Sequence, residues 1–239
     1  MRPVEEILVD VRNAANIYPA GSGHFVYTSG MHGDGYVDYR PLGEHTEHHP
    51  LLREVCVALL QKTIKAARLD TRRKIVVIGP ETMGATMIEM LEAADHLGML
   101  PNLTIFTRQL LKDPEDKKKF LWSARPREVL HDAQTIVIDD LLNQSSTFKR
   151  IAPMIETFSG SIDALAVIGD RCNVKPGDIG VRAIVSLEEF PGFLVESPDD
   201  STLCRSGVPI VRRPGHGWDF EEKHPDYPGG FIDAVETAA

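Results

Sequence analysis

Two adjacent carboxylates, Asp139 and Asp140, close the apolar run at residues 135–138. After Leu141 and Leu142 come Asn143, Gln144, Ser145, Ser146 and Thr147. An unpaired carboxylate is costly to bury, so two in succession need partners. Two readings are open. In one the acids are structural, one capping the next helix and the other paired with a lysine. In the other they form a binding pair. Consecutive strand residues point to opposite faces, so two acids can bracket a ring of sugar hydroxyls or hold a hydrated magnesium ion. Hydroxyls and backbone N–H groups at the start of a helix favour an anion such as phosphate. Acids for a polyol, then an anion cradle a few residues on, is the order that a ribose 5-phosphate needs.

The elements that must position these groups follow from periodicity. Residues 4–15 place Ile7, Leu8 and Val11 at helical spacing. Residues 21–42 are Gly-rich and alternate in short pieces, 25–27 and 36–39, which predicts small strands joined by turns. Residues 50–67 form a second helix with Leu52, Val55, Leu59 and Leu60 on its apolar side. From there apolar strands alternate with helices: strand 74–80, helix 82–97, strand 103–107, strand 135–139, helix 146–158, strand 164–170 and strand 182–187. Pro153 is expected to kink the helix at 146–158 or to confine its regular part. This alternation predicts an α/β class chain, a mostly parallel sheet with helices on both faces. Ligands of such sheets sit at the carboxyl ends of the strands. There the chain places Gly79, Pro80, Glu81 and Thr82, then Thr107 and Arg108, then the acid pair, then Gly169, Asp170 and Arg171. Three segments are expected: 1–48 as N-terminal helix and small hood, 49–190 as core, and 191–239 as a Pro- and Gly-rich tail, wrapping or partly mobile.

Composition narrows the partners. The formal charge of the 239 residues is −9 with no long basic tract, which excludes binding nucleic acid through its phosphate backbone. A small anionic substrate remains compatible, because local charge can oppose the total. Cys56, Cys172 and Cys204 are scattered, which fits neither a disulfide framework nor a CxxC zinc site and points to a reducing cytoplasm. The N-terminus has acids where a signal peptide needs an apolar run, and no stretch approaches the length of a membrane span. His45, His48 and His49 cluster, but a polar helix N-terminus accounts for them better than a metal. Cys204, His216 and His224 lack recognised zinc spacing.

The segment 136–148 resembles the phosphoribosyl-diphosphate (PRPP) motif of the type I phosphoribosyltransferases: an apolar strand, two acids, two apolar residues and a small-residue phosphate loop. Residues 23–40, "GHFVYTSGMHGDGYVDYR", resemble the N-terminal segment of the orotate-specific branch of that family. "VVIGPETMGATM" at 76–87 is similar to its diphosphate loop, and "FTR" with Lys112 to the start of its mobile catalytic loop. "VIGDR" at 167–171 is similar to the strand whose terminal arginine contacts the orotate carboxylate, and residues 203–215 resemble a tail seen in some members. The resemblance runs from about residue 4 to 215.

The resemblance implies the type I phosphoribosyltransferase fold with an N-terminal hood, and Mg²⁺-dependent transfer between PRPP and a base, orotate or a related pyrimidine. Asp139 and Asp140 would hold the ribose hydroxyls, directly or through Mg²⁺-bound water. Asn143, Gln144, Ser145, Ser146 and Thr147 would hold the 5-phosphate. Glu81, Thr82, Met83 and Gly84 would face the diphosphate, Arg108 and Lys112 would close over it, and Arg171 would hold the acidic group of the base. A homodimer is implied, since members place the mobile loop over the neighbour's site. The departures are specific. Asn143 and the pair Ser145 and Ser146 replace a threonine and a glycine of the phosphate loop. Gln109 and Pro114 stand where a lysine and a histidine are expected, Met83 where one subgroup has lysine, and Thr28 and Gly33 where lysine and serine are usual. Two alternatives stay open: a sensor that binds PRPP or a nucleotide without turnover, and a transferase for a different base.

Overall fold

The computed structural model describes residues 2–101, 103–116, 119–143, 145–159, 161–171 and 174–233. In chain order the first elements are helix α1 (Val4–Ala14) and strands β1 (Asn16–Tyr18), β2 (Phe25–Val26), β3 (His32–Gly33) and β4 (Tyr36–Asp38). Helices α2 (Arg40–Glu44) and α3 (His49–Ala66) follow. The central stretch runs through β5 (Ile75–Pro80), α4 (Met83–His96), β6 (Ile105–Lys112), β7 (Phe120–Trp122), α5 (Arg127–Leu130), β8 (Gln134–Leu142), α6 (Ser146–Ser159), β9 (Ala164–Asp170) and β10 (Ala183–Glu189). The last part holds β11 (Val195–Glu196), α7 (Thr202–Arg205), β12 (Ile210–Val211), α8 (Gly217–Lys223) and β13 (Phe231–Ile232).

The chain divides into two units, each discontinuous in sequence: residues 2–14 with 39–189, and 15–38 with 190–233. The expected hood segment is thus shared, with α1 and α2 in the first unit and β1 to β4 in the second.

The first unit is built on a six-stranded sheet in the order β10-β9-β8-β5-β6-β7. All neighbours are parallel except β7, which folds back antiparallel on β6. Alternation sorts the side chains. Val76, Ile78, Leu110, Val137, Leu165 and Val167 face one side, where Val129 and Leu130 of α5 and Phe148, Ile151 and Ile155 of α6 cover them. Helices α3 and α4 pack on the sheet as well. The buried residues between the first set, Ile75, Val77, Ile136, Ile138 and Ala166, face the other side. A strand buried on both faces reads as a continuous apolar run, which is why β5, β8 and β9 were legible as such.

Two details differ from the expectations, and the course of α6 adds a third observation. Strand β6 runs on to Lys112, and its partner β7 makes residues 105–122 a β-hairpin arm rather than a strand followed by a loop. Trp122 packs edge-on against Phe158 of α6, with ring centres 6.1 Å apart, so it anchors the arm to the core. Strand β8 does not end at the acids but continues through them to Leu142, pairing Asp139 with Val167 and Leu142 with Asp170 of β9. Helix α6 runs through Pro153 to Ser159. The proline removes one intrahelical donor, and Thr157 Oγ1 donates to the Pro153 carbonyl at 2.8 Å.

In the second unit β2, β3 and β11 form a three-stranded antiparallel sheet, β1 pairs with β4, and β12 pairs with β13. Its core joins Phe25, Tyr27 and Val211 with Tyr18, Met31, Tyr36 and Val195. Gly33, which stands where the resembled segment has serine, is required here. A Cβ would lie 2.0 Å from Tyr27 Oη and 2.5 Å from the Leu194 carbonyl oxygen. The segment from residue 191, expected as a tail that wraps or is partly mobile, contributes β11, α7, β12, α8 and β13 to this unit. No helix among the described residues is long and apolar enough to cross a membrane.

Candidate functional site

Asp139 and Asp140 lie side by side in β8, both half-buried. The Asp140 amide donates to Asp139 Oδ1 at 3.0 Å. Burial, then the neighbouring Asp140 charge, raises the Asp139 pKa well above the usual carboxylate range, while the Lys112 charge acts the other way. Like charges held this close share a proton readily. A cation brought to them removes the penalty.

The strand leads directly into the segment expected to cradle an anion. Asp139, Asn143, Ser145, Ser146 and Thr147 line one cavity of about 80 Å³, floored by Val137, Leu142, Phe148 and Ile151. That volume holds several waters, each occupying roughly 30 Å³ in the liquid, and so admits a small anion. Ser145 is buried with φ 52°, a left-handed conformation that favours glycine. Its carbonyl accepts from the Lys149 amide at 2.9 Å, so the first turn of α6 begins here. Ser146 is exposed and Thr147 half-buried at the helix N-terminus. Gln144 lies outside the described residues, as do Lys117, Lys118 and Cys172.

The next strand ends close by. Arg171, buried at the end of β9, donates its amide to the Leu142 carbonyl at 3.0 Å, so it stands beside the loop expected to hold phosphate. Between β5 and α4, Glu81 accepts the Lys112 amide on Oε2 at 2.5 Å, and its own amide donates to the Leu110 carbonyl. This ties the hairpin arm to the segment expected to face diphosphate. Thr82 is exposed at the start of α4. Met83 turns inward and is buried, with its sulfur 2.9 Å from where a Cβ on Gly43 would stand. A Cβ on Gly84 would lie 2.6 Å from Pro80 Cδ and 2.7 Å from the Ile138 carbonyl oxygen. Met83 and Gly84 therefore serve packing with their side-chain positions. Arg108 is placed elsewhere. Its Nη1 donates to the adjacent Thr107 carbonyl at 2.7 Å, and it lines a cleft with Glu92, Asp95 and His96 toward the C-terminal end of α4. Lys112 is thus the cation of the arm whose charge Asp139 feels.

One cluster behind the acids had no signal in the sequence. Tyr39 is fully buried and donates to Glu188 Oε2 at 3.3 Å, and Arg12 Nε donates to Glu188 Oε1 at 2.6 Å. Burial above all, with Glu188 and Asp140 adding negative charge, raises the Tyr39 pKa and keeps the phenol protonated. Its partners are widely separated in sequence and carry no common motif.

No family model matches the chain. It is 27% identical over 198 residues to the orotate phosphoribosyltransferase of Desulforamulus reducens, covering 80% of this chain and 87% of that protein. It is 28% identical over 193 residues to that of Heliobacterium modesticaldum, covering 80% and 88%. Among solved structures it matches Mycobacterium tuberculosis orotate phosphoribosyltransferase with a TM-score of 0.51 at 18% identity, covering 78% of this chain and 96% of the other. The Aeropyrum pernix enzyme of the same name matches with a TM-score of 0.50 at 19% identity, covering 78% and 93%. The chain has the fold of the type I phosphoribosyltransferases, and its sequence is similar to those of orotate phosphoribosyltransferases.

Proposed function

We propose that this chain transfers a phosphoribosyl group between PRPP and a pyrimidine base, orotate, with release of diphosphate. The observation that carries the reading is the single cavity that joins Asp139 to Asn143, Ser145, Ser146 and Thr147 at the start of α6. The naming of relatives that align over 80% of the chain supports it. In the reaction the bond from the anomeric carbon to diphosphate breaks as the bond to the base nitrogen forms, through an oxocarbenium-like state. The acid pair binds the ribose hydroxyls. Ser145, Ser146 and Thr147, with the amides of the first turn of α6, hold the 5-phosphate. The segment at Glu81 and Thr82 faces the diphosphate through its backbone, and Lys112 stabilises the leaving charge. Arg171 takes the orotate carboxylate, which a guanidinium matches with two parallel hydrogen bonds. Arg108 would reach the diphosphate only through rearrangement of the hairpin arm.

Magnesium fits the site. Burial, and then the neighbouring Asp140 charge, raises the Asp139 pKa, so a hydrated cation beside the two carboxylates is favoured. Asp139 and Asp140 would hold it through water, and it would neutralise charge on the diphosphate. A homodimer and a cytoplasmic location complete the proposal. The first rests on the charged hairpin arm, which also exposes Leu111 and Leu121. The second rests on the free thiols Cys56 and Cys204. The partners are small molecules, with no role for nucleic acid or membrane.

Mass-spectrometric measurement of diphosphate release from PRPP and Mg²⁺ with a panel of bases tests the reading. Orotate should support turnover. The folded Asp139→Asn, Asp140→Asn double variant should lose both turnover and PRPP binding. PRPP binding without release for any base would make the protein a sensor, a reading that the displaced Arg108 favours. Release with a neutral base alone would remove the role given to Arg171.

A further inference from the structure

We propose that His24, His32 and Cys204 of the second unit form a binding site for a zinc-class divalent cation, separate from the phosphoribosyl site. Both histidines are fully buried and Cys204 is half-buried. Their ligand atoms lie within 4.8 Å of one another. His24 Nε2 is 2.7 Å from His32 Nδ1, Cys204 Sγ is 3.2 Å from His32 Nδ1, and Sγ is 3.8 Å from His24 Nε2. Tetrahedral zinc at ordinary bond lengths needs about 3.3 Å between two nitrogens and about 3.5 Å between nitrogen and sulfur. The two N···S distances straddle that value, and the rings need to part by roughly half an ångström.

The proton accounting also favours a metal. His24 Nδ1 lies 2.9 Å from the Val208 carbonyl oxygen and can only donate to it, which leaves Nε2 with its lone pair toward the cluster. A carbonyl that fixes the tautomer of a ligating histidine is the usual outer-shell arrangement. His32 Nδ1 must then donate to His24 Nε2, which strands the lone pair of His32 Nε2. That atom is buried and has no hydrogen-bond partner among the described residues. Loading a divalent ion would replace the His24–His32 hydrogen bond with bonds from both nitrogens to the metal. The Cys204 thiol loses its proton to solvent, the His32 proton moves from Nδ1 to Nε2, and three lone pairs converge on the metal.

The fold holds the three residues from different places. His32 lies on β3 opposite Val26 of β2, and His24 precedes β2 and bridges to Ile210. Cys204 sits in α7, where its amide donates to the Ser201 hydroxyl at 3.2 Å. The rim is aromatic. Phe220 meets His32 edge-on at 4.9 Å between ring centres, and Tyr227 meets His24 at 6.1 Å. Three protein ligands leave one position for water or a further group. The ion would clip the N-terminal hairpin of the unit to its C-terminal segment, 172 residues away along the chain.

Titration of the chelator-treated full chain with Co²⁺ tests the site. One equivalent should produce thiolate-to-cobalt charge-transfer absorption in the near ultraviolet, and Zn²⁺ should displace it. Cys204→Ser should abolish that absorption and weaken Zn²⁺ by more than the roughly 10–100-fold that loss of an outer-shell partner costs. Histidines elsewhere, such as His45, His48 and His49, would bind cobalt without the thiolate band. If Cys204→Ser fails to fold, alkylation of the wild-type chain decides, with Cys204 followed by peptide mass spectrometry. Stoichiometric Zn²⁺ should protect Cys204. Absence of the band, unchanged Zn²⁺ affinity in a folded Cys204→Ser, or alkylation indifferent to Zn²⁺ would each overturn the assignment.

Discussion

At the scale of single residues, the acid pair and Ser145 carry the sharpest consequences. Asp139 is held in its protonated form more strongly in the folded chain than in the unfolded one. The folded state therefore binds more protons between the ordinary carboxylate pKa and the raised one, and stability falls as pH rises through that window. Asp139→Asn removes the penalty and keeps an acceptor for the Asp140 amide. It should raise the denaturation midpoint at pH 7, have little effect below the ordinary carboxylate range, and abolish phosphoribosyl transfer; urea melts at the two pH values measure this. At Ser145 the left-handed backbone costs an L-residue about 1–2 kcal/mol, part of which glycine recovers. Ser145→Gly should stabilise the chain by about 0.5–1 kcal/mol in the same melts. It should preserve or tighten PRPP binding by calorimetry, whereas Ser146→Ala and Thr147→Ala should weaken it. The glycine missing from the resembled loop is thus missing at a position whose conformation still asks for it.

At the scale of elements, the site depends on how closely α4 approaches the sheet. Gly79 and Gly84 make that approach possible. A Cβ on Gly79 would stand 2.0 Å from the Gly84 carbonyl oxygen, and one on Gly84 would meet Pro80 and the Ile138 carbonyl. Backbone cannot yield as a flexible side chain does. Gly84→Ala should therefore destabilise by about 1–3 kcal/mol, the ordinary range for overpacking, and chemical denaturation checks this. It should also move β8 at Ile138, and with it the adjacent acids, so PRPP affinity should fall in the folded fraction. The hairpin arm is the second element that matters. Its Lys112 amide, bonded to Glu81, ties the arm to the segment proposed to face diphosphate.

At the scale of the whole molecule, two discontinuous units arise from one chain that crosses between them. The exposed Leu111 and Leu121 on the hairpin arm suit a surface that meets a second copy. In a homodimer whose arm completes the neighbour's site, Lys112→Ala and the Asp139→Asn, Asp140→Asn variant are each inactive in different halves of one site. Mixing the two after partial denaturation and refolding should restore a fraction of the activity through hybrid dimers. A monomer by light scattering at assay concentration, or no recovery on mixing, would remove the shared-site reading.

The sequence alone determined the α/β class, the strands β5, β8 and β9 and the acid–hydroxyl order of the motif. These depend on local periodicity and on neighbours along the chain. Runs such as 75–78 and 164–168 are apolar throughout because both faces of the sheet are covered, and that pattern survives without coordinates. Tertiary structure decided the rest. Only pairing with β7 could reveal that β6 runs on to Lys112, since nothing local separates a solvated charged turn from a hairpin arm. Only packing could turn Met83 inward and leave Arg108 beside Glu92, because a side chain's direction depends on what covers each face. His24 and His32 met Cys204 for the same reason. Metal-ligand spacing is readable when the ligands share a loop, but here they come from a hairpin and a short helix far apart in sequence, and it is the fold that brings the three together.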